Sequence, residues 1–153
     1  PTTPAISSAA SDVYKRQVVM MLNGALGGLV AITAEPLMPT PLMAIIIGGI
    51  GGALVFAGTE LLTAMKIDDV VGAIPVHLIA GVWGTLAVPI TNPDTSFGTQ
   101  FLGTASICVF VFVVSIIIWS IMKATIGIRI SEEAEKEGTD VAETGVIAYS
   151  IRD

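Results

Sequence analysis

The sequence predicts an all-α fold, a polytopic membrane helix bundle with four transmembrane helices. Hydrophobic residues make up 53% of the chain and charged residues only 13%, which is about half the charged fraction of an ordinary soluble domain. Each of four apolar runs is long enough to cross or nearly cross a hydrocarbon core of about 30 Å, and the first is the shortest. We expect these helices at approximately 18–34, 42–65, 70–91 and 99–126.

Turn-forming residues separate the four segments. Prolines punctuate 35–41, a polar linker occupies 66–69, and Thr-Asn-Pro-Asp at 91–94 precedes the last segment. Asp68 or Asp69 is expected to cap the third helix at the middle linker, because a carboxylate accepts hydrogen bonds from the free amides of a first turn and suits the helix dipole. A direct role of these two acids in transport is the alternative.

The placement of Lys and Arg predicts the orientation in the membrane, since short loops that carry these residues stay on the cytoplasmic side. Lys66 lies in the middle linker, and Lys123 and Arg129 follow the fourth helix. The first and third linkers carry Glu35 and Asp94 but neither Lys nor Arg. The middle linker and the C-terminal tail are therefore predicted to be cytoplasmic.

Glycines recur at a spacing that lets membrane helices approach each other closely. Gly24 and Gly28 are four residues apart, as are Gly48 and Gly52. Small residues at this spacing favour backbone contact between helices in lipid. The pattern predicts a packed bundle but no particular activity.

The single histidine, His77, lies about two turns into the third predicted helix. Ionisable side chains at membrane depth are rare and usually face a bundle interior or a water-filled path. At helical spacing His77 shares a face with the small residues Ala73, Ala80, Gly81 and Gly84. Because this stripe leaves room for an imidazole, which both donates and accepts hydrogen bonds when neutral, we interpret His77 as part of a proton relay or of a path for a small polar molecule. A histidine that only bonds a neighbouring helix is the alternative.

Other functional classes find no support in the residue pattern. One histidine and the lone Cys108 on another helix predict neither a metal site nor a cofactor. Nucleophile, phosphate-loop and paired-carboxylate patterns are absent from the apolar region, so enzymatic catalysis is not expected. A net charge of −6 argues against nucleic acid as a partner. We interpret Glu60 as an interfacial acid or one paired with Lys66, and Trp83 and Trp119 as packing residues or interface anchors.

Residues 1–17 differ in composition from the apolar segment after them. They are small and polar, lack the apolar core of a signal peptide, and end where the hydrophobicity begins. The string SAASDVYKRQ resembles a non-native junction of sequence assembly. We therefore expect a leader or an artefactual junction at 1–17, the transmembrane part at 18–126 and a cytoplasmic tail at 127–153.

Three stretches, in order and at matching separations, resemble the ammonium transporter (Amt/Mep/Rh) family. The segment NGALGGLVAITA is similar to the family's eighth helix. The segment KIDDVVGAIPVHLIAGVWGT is similar to the start of its tenth helix, which has the pattern DDxxGAxxVHxxxGxxGT. Its cytoplasmic tail is similar to GIRISEEAEKEGTDVAETGVIAY. The resemblance runs from about Val18 to Tyr149. It implies that these are the last four helices of an eleven-helix transporter fold.

The resemblance also implies roles for individual residues. His77 matches the second of two pore histidines, and Ala73 and Leu26 match positions that line a narrow hydrophobic pore. In the family an external ammonium ion is deprotonated, neutral ammonia passes two hydrogen-bonded histidines, and the proton travels separately. A dry pore penalises a bare cation but admits a small neutral molecule that forms hydrogen bonds. The partner histidine would lie upstream of this chain, so we expect the chain alone to transport nothing.

The tail resemblance implies assembly and regulation. Gly138, Asp140 and Tyr149 match the family pattern, whereas Thr139 and 143–145 depart from it. Tails of this type contact a neighbouring subunit and communicate with PII-type signalling proteins. The resemblance therefore implies a homotrimer in the lipid bilayer of a bacterial plasma membrane, with ammonium or ammonia as substrate and a PII-type protein as a possible partner. A solvated acidic tail without a regulatory role is the alternative.

Two further functions stay open at this point. In the first, the four helices anchor a sensor or assembly module with an acidic regulatory tail. In the second, they belong to a gas channel of the Rhesus type, although the tail segment EEAEKEG favours the bacterial ammonium branch. The sequence upstream of this chain would distinguish the sensor or assembly module from a transporter. Seven more helices with a histidine in the fifth indicate transport, whereas a kinase-like or cyclase-like segment indicates sensing.

Overall fold

The computed structural model describes the backbone of residues 3–146 and the side chains of 17–139 and 141–146. Within this part of the chain the regular elements are all helical, which confirms the all-α prediction. A π turn, Ile74–Ile79, precedes α3. The α-helices are α1 (Thr3–Ile32), α2 (Pro41–Ala64), α3 (Ala80–Thr91), α4 (Phe97–Thr125), α5 (Glu132–Glu137) and α6 (Thr139–Thr144).

Three helical stretches are long and apolar enough to cross a membrane, namely Pro41–Ala64, Ile74–Thr91 and Phe97–Thr125. The apolar part of α1, Gln17–Ile32, is shorter. The polytopic membrane fold is therefore confirmed, with three full-length spans and one shorter apolar helix. The third stretch begins at Ile74 and not at 70, because the residues before it form the turn that caps it.

The chain divides into two compact units, Pro1–Cys108 and Val109–Asp153. The first unit holds α1, α2, the π turn, α3 and the first half of α4, and it contains His77. The second unit holds the rest of α4 and the two short tail helices.

A close backbone contact joins α1 to α2. A Cβ atom on Gly28 would lie 3.0 Å from the carbonyl oxygen of Gly48, and one on Gly52 would lie 2.9 Å from that of Gly24. Contacts this short exist because Gly28 and Gly52 have no side chain, whereas a Cβ on Gly24 would meet Gly52 at an ordinary 3.9 Å. The prediction that these glycines are packing residues is therefore confirmed.

The third stretch packs against this helix pair through small residues. Gly84 of α3 abuts the backbone of Ala31 so closely that any Cβ at Gly84 would overlap it. Ala80 is fully buried and clusters with Val55 and Val76. These contacts leave α3 little freedom to slide or rotate on α1 and α2.

Trp83 of α3 supports the same interface. Its side chain packs on the cluster formed by Ala31, Ile47 and Ala87. Its indole Nε1 donates a hydrogen bond of 3.0 Å to the carbonyl oxygen of Ile47. A tryptophan at a packed interface usually finds such a partner for its N–H, so of the two predicted roles, packing residue or interface anchor, Trp83 has the first.

The second unit contains a short helical tail. The Ser131 hydroxyl accepts a hydrogen bond from the Ala134 amide and caps α5, and the Arg129 guanidinium pairs with the Glu135 carboxylate at 3.1 Å. Both partners of this ion pair are well exposed, so it contributes little stability. Gly138 joins α5 to α6 with a φ of +104°, a conformation that favours glycine.

We predict that Gly51→Ala destabilises the bundle and that Gly49→Ala does not. A Cβ at Gly51 would lie 2.6 Å from the Ala31 Cβ and 2.9 Å from the Gly27 carbonyl oxygen, whereas one at Gly49 meets nothing within 4 Å. Overpacking of this kind costs about 1–3 kcal/mol, while alanine is favoured over glycine on an open helix face by about 1 kcal/mol. Unfolding of the detergent-solubilised chain by SDS, followed by circular dichroism, measures both. Equal stability of the two variants would contradict the tight contact between α1 and α2.

Candidate functional site

His77 lies within the π turn, Ile74–Ile79. In such a turn an N–H bonds the carbonyl five residues back, and the Ala80 N–H does so with the Pro75 carbonyl while also contacting that of His77. Turns of this kind are rare and occur frequently at functional sites. The one ionisable residue at membrane depth in the third stretch is therefore carried by an irregular turn.

The π turn separates two faces that a regular helix would merge. Ala80 and Gly84 are buried, whereas Ala73 and His77 are exposed and Gly81 is partly exposed. The expected stripe of five small or polar residues is therefore wrong, because a π turn holds about one extra residue and rotates the residues before it by about 100° relative to those after it. His77 lies on the side that does not pack against α1 and α2.

A cavity of about 300 Å³ lies beside His77. The cavity is an open groove between the π turn and α3 on one side and the first half of α4 on the other. Its polar and small members apart from His77 are Gly81, Thr85, Gln100, Gly103, Thr104 and Cys108, and the remaining members are Leu78, Val82 and Ile107. The hydroxyl of Thr104 is buried and has no hydrogen-bond partner in the described part of the chain. The cavity offers hydrogen-bonding groups among apolar walls, which suits a small polar molecule.

The two other residues matched to the pore lie outside this cavity. Leu26 on α1 is 50% exposed, and Ala73 is exposed at the start of the π turn. Neither side chain is among those that line the cavity beside His77. Their assignment to a pore stays a prediction.

Asp69 binds the start of the π turn. Its two carboxylate oxygens accept hydrogen bonds of 2.8 Å each, one from the Ala73 amide and one from the Ile74 amide. Asp68, the other acid proposed as a cap, is exposed. Of the two acids, Asp69 is the one that accepts hydrogen bonds from the amides at the start of this helix.

Asn23 on α1 is a site residue that sequence analysis missed. Pro75 has no N–H, so the carbonyl of Val71, four residues earlier, loses its helical partner. The Nδ2 of Asn23 donates to that carbonyl at 3.0 Å. Two features of the sequence could have indicated this contact, namely a polar residue within the first apolar run and a proline four residues after Val71.

The tail residues matched to the family are described only in part. Gly138 forms the junction between α5 and α6, and Asp140 lies within α6. Tyr149 lies outside the described residues. No group of three or more His, Cys, Asp or Glu residues in the described part of the chain is placed to hold a metal ion.

Comparison with known proteins identifies the family. A sequence model described as the Ammonium Transporter Family matches residues 3–149. The chain belongs to the ammonium transporter family. The matched range includes most of the polar segment 1–17, for which a leader or junction stays a prediction.

Individual relatives of this family member carry transporter names. The chain is 38% identical over 133 residues to a putative ammonium transporter of Synechocystis, covering 86% of the chain and 30% of that protein. It is 35% identical over 156 residues to an ammonium transporter of Archaeoglobus fulgidus, covering 88% of the chain and 33% of the relative. It is 37% identical over 144 residues to the ammonium transporter of Bacillus subtilis, covering 84% of the chain and 36% of that relative. The chain thus spans about a third of the length of these relatives.

We predict that Gly81→Leu in this family member slows the reaction of Cys108 with N-ethylmaleimide several-fold. Both residues line the cavity beside His77, so a leucine at 81 would occupy part of it. Gly98→Leu is the matched control, because a Cβ there meets nothing within 4 Å. Mass spectrometry of the detergent-solubilised chain measures the rate. If Cys108 reacts at the same rate in Gly81→Leu and Gly98→Leu, then Gly81 and Cys108 do not share a cavity.

Proposed function

We propose that this chain forms the carboxy-terminal part of an ammonium channel or transporter, with His77 in the permeation path. Family membership supports ammonium as the substrate. The observation that carries the proposal is that the only histidine lies on the unpacked side of its turn, beside a cavity with polar members.

The proposed chemistry separates ammonia from its proton. An external ammonium ion gives up a proton to an acceptor along the path, and the resulting neutral ammonia moves inward. His77 accepts a hydrogen bond from ammonia, or donates one to its lone pair, through its two ring nitrogens. The proton travels separately, by way of His77 and a partner histidine supplied from outside this chain. Desolvating a bare cation in an apolar path is costly, so the neutral form is the one that passes.

The rest of the path is assigned to small and apolar side chains. Ala73 and Leu26 are proposed to line it, since both are exposed on elements that pack through their other faces. Exposed apolar residues on α1, including Met21 and Leu29, fit contact with further helices or with lipid. A path built in this way needs the other helices to close it.

Assembly and regulation complete the proposal. The full-length protein would be a homotrimer in a bacterial plasma membrane, with the tail and the middle linker on the cytoplasmic side. Lys66, Lys123 and Arg129 support this orientation. The tail around Gly138, Asp140 and Tyr149 would contact a neighbouring subunit and report to a PII-type signalling protein.

We predict that His77→Ala changes ammonium flux or ion selectivity in a chimera. In this chimera, residues 18–149 replace the matching third of the Bacillus subtilis ammonium transporter, to which the chain is 37% identical. The imidazole is proposed to carry both the proton and the hydrogen bond, so its loss should alter either rate or selectivity while trimer formation is retained. Methylammonium uptake and reconstituted currents measure these two properties. Gly49→Ala, on an open helix face, is the control expected to behave as the parent. Unaltered flux and selectivity in His77→Ala would refute the pore assignment.

We predict that the 153-residue chain expressed alone produces no uptake of ammonium or methylammonium above background. One histidine and four apolar helices leave the path open on one side. Uptake by cells that lack other ammonium transporters is the measurement, with the chimera as positive control. Uptake by the chain alone would contradict the need for a partner histidine. An inactive chimera that still inserts and binds a PII-type protein would favour the anchored sensor or assembly module.

A further inference from the structure

The segment that carries His77 is held from both ends. At its start, the Asp69 carboxylate accepts the amides of Ala73 and Ile74 at 2.8 Å each, and the Asn23 amide holds the Val71 carbonyl at 3.0 Å. These bonds tie the residues just before the π turn to the Asp69 side chain in the preceding turn and, through Asn23, to α1.

The amides at the start of this segment are fully accounted for. Ala73 and Ile74 donate to Asp69, Pro75 has no N–H, and Val76 donates to the Gly72 carbonyl at 3.1 Å. Gly72 has a φ of +76°, and a Cβ there would collide with the Asn23 side chain. The start of the helix is therefore specified by side chains outside it and not by the helical pattern alone.

The far end is fixed by packing. Ala80 is completely buried, and Gly84 abuts the backbone of Ala31 with no room for a side chain. A helix end held in this way cannot rotate without separating α3 from α1.

The π turn follows from these two constraints. Suppose that both ends are fixed and that the segment between them has one residue more than a regular α-helix of that length. One turn must then widen to hold the extra residue, and a widened turn of this kind is a π turn. Releasing the first end lets the segment wind into an α-helix and rotates its first residues by about 100°, one residue step. Ala73 and His77 would then turn toward the face that packs on α1 and α2.

We propose that Asp69 is a positioning residue for His77. By holding the first amides of the segment, it maintains the π turn that keeps the imidazole on the unpacked side. The importance of this orientation rests on the proposed role of His77 in permeation, but the orientation itself is measured without transport.

Thiol accessibility in the detergent-solubilised chain tests this proposal. In a Cys108→Ser background, Ala73→Cys and Gly81→Cys place single thiols before and after the π turn. Ala73 is exposed, and a Cβ at Gly81 meets only the Val30 side chain at an ordinary 3.8 Å. Adding Asp69→Ala should slow N-ethylmaleimide labelling at position 73 several-fold and leave position 81 unchanged. Asp69→Asn, which retains one acceptor oxygen, should give a smaller decrease.

Asp68→Ala is the matched control and should change neither rate, since Asp68 is an exposed acid next in sequence. Unchanged labelling at position 73 in Asp69→Ala would overturn the proposal. Faster labelling at position 73, alone or together with position 81, would also overturn it, because Asp69 would then hold the fold together and not the orientation of the turn. A result against the proposal leaves the transport assignment of His77 to be judged by the chimera.

Discussion

The backbone contact between α1 and α2 is the constraint on which the rest of the first unit depends. Glycines on both helices bring the two backbones so close that a Cβ on Gly28 would lie 3.0 Å from the Gly48 carbonyl oxygen. In lipid, where apolar side chains gain little by leaving their surroundings, this closeness supplies the packing that holds helices together. It also creates the surface, formed by Ala31, Ile47 and Val55, on which α3 rests.

The position of His77 follows from that surface. Ala80 and Gly84 fit against α1 and α2, and the two side chains Asn23 and Asp69 fix the start of the same segment. The chain between them takes up its extra residue as a π turn. The histidine is therefore directed by contacts remote from its own ring, and it keeps its orientation as long as those contacts persist.

Sequence patterns predicted the elements that depend on composition and spacing. The apolar runs place α2 and α4 within two residues of Pro41–Ala64 and Phe97–Thr125, and the glycine spacing predicts the α1–α2 contact. The stripe through Ala80 and His77 failed, because helical periodicity assumes 3.6 residues per turn throughout. The π turn depends on the local cap at Asp69 and also on contacts far apart in sequence, such as those of Asn23 with Val71 and of Gly84 with Ala31, which helical periodicity does not report.

Electron cryomicroscopy of the chimeric transporter tests the central claim most directly. The account predicts a π turn at 74–79, the Asp69 carboxylate on the amides of Ala73 and Ile74, and the His77 ring lining the central path of each subunit. A map in which residues 74–79 form a regular α-helix, or in which His77 faces lipid or packs between α1 and α2, would contradict it.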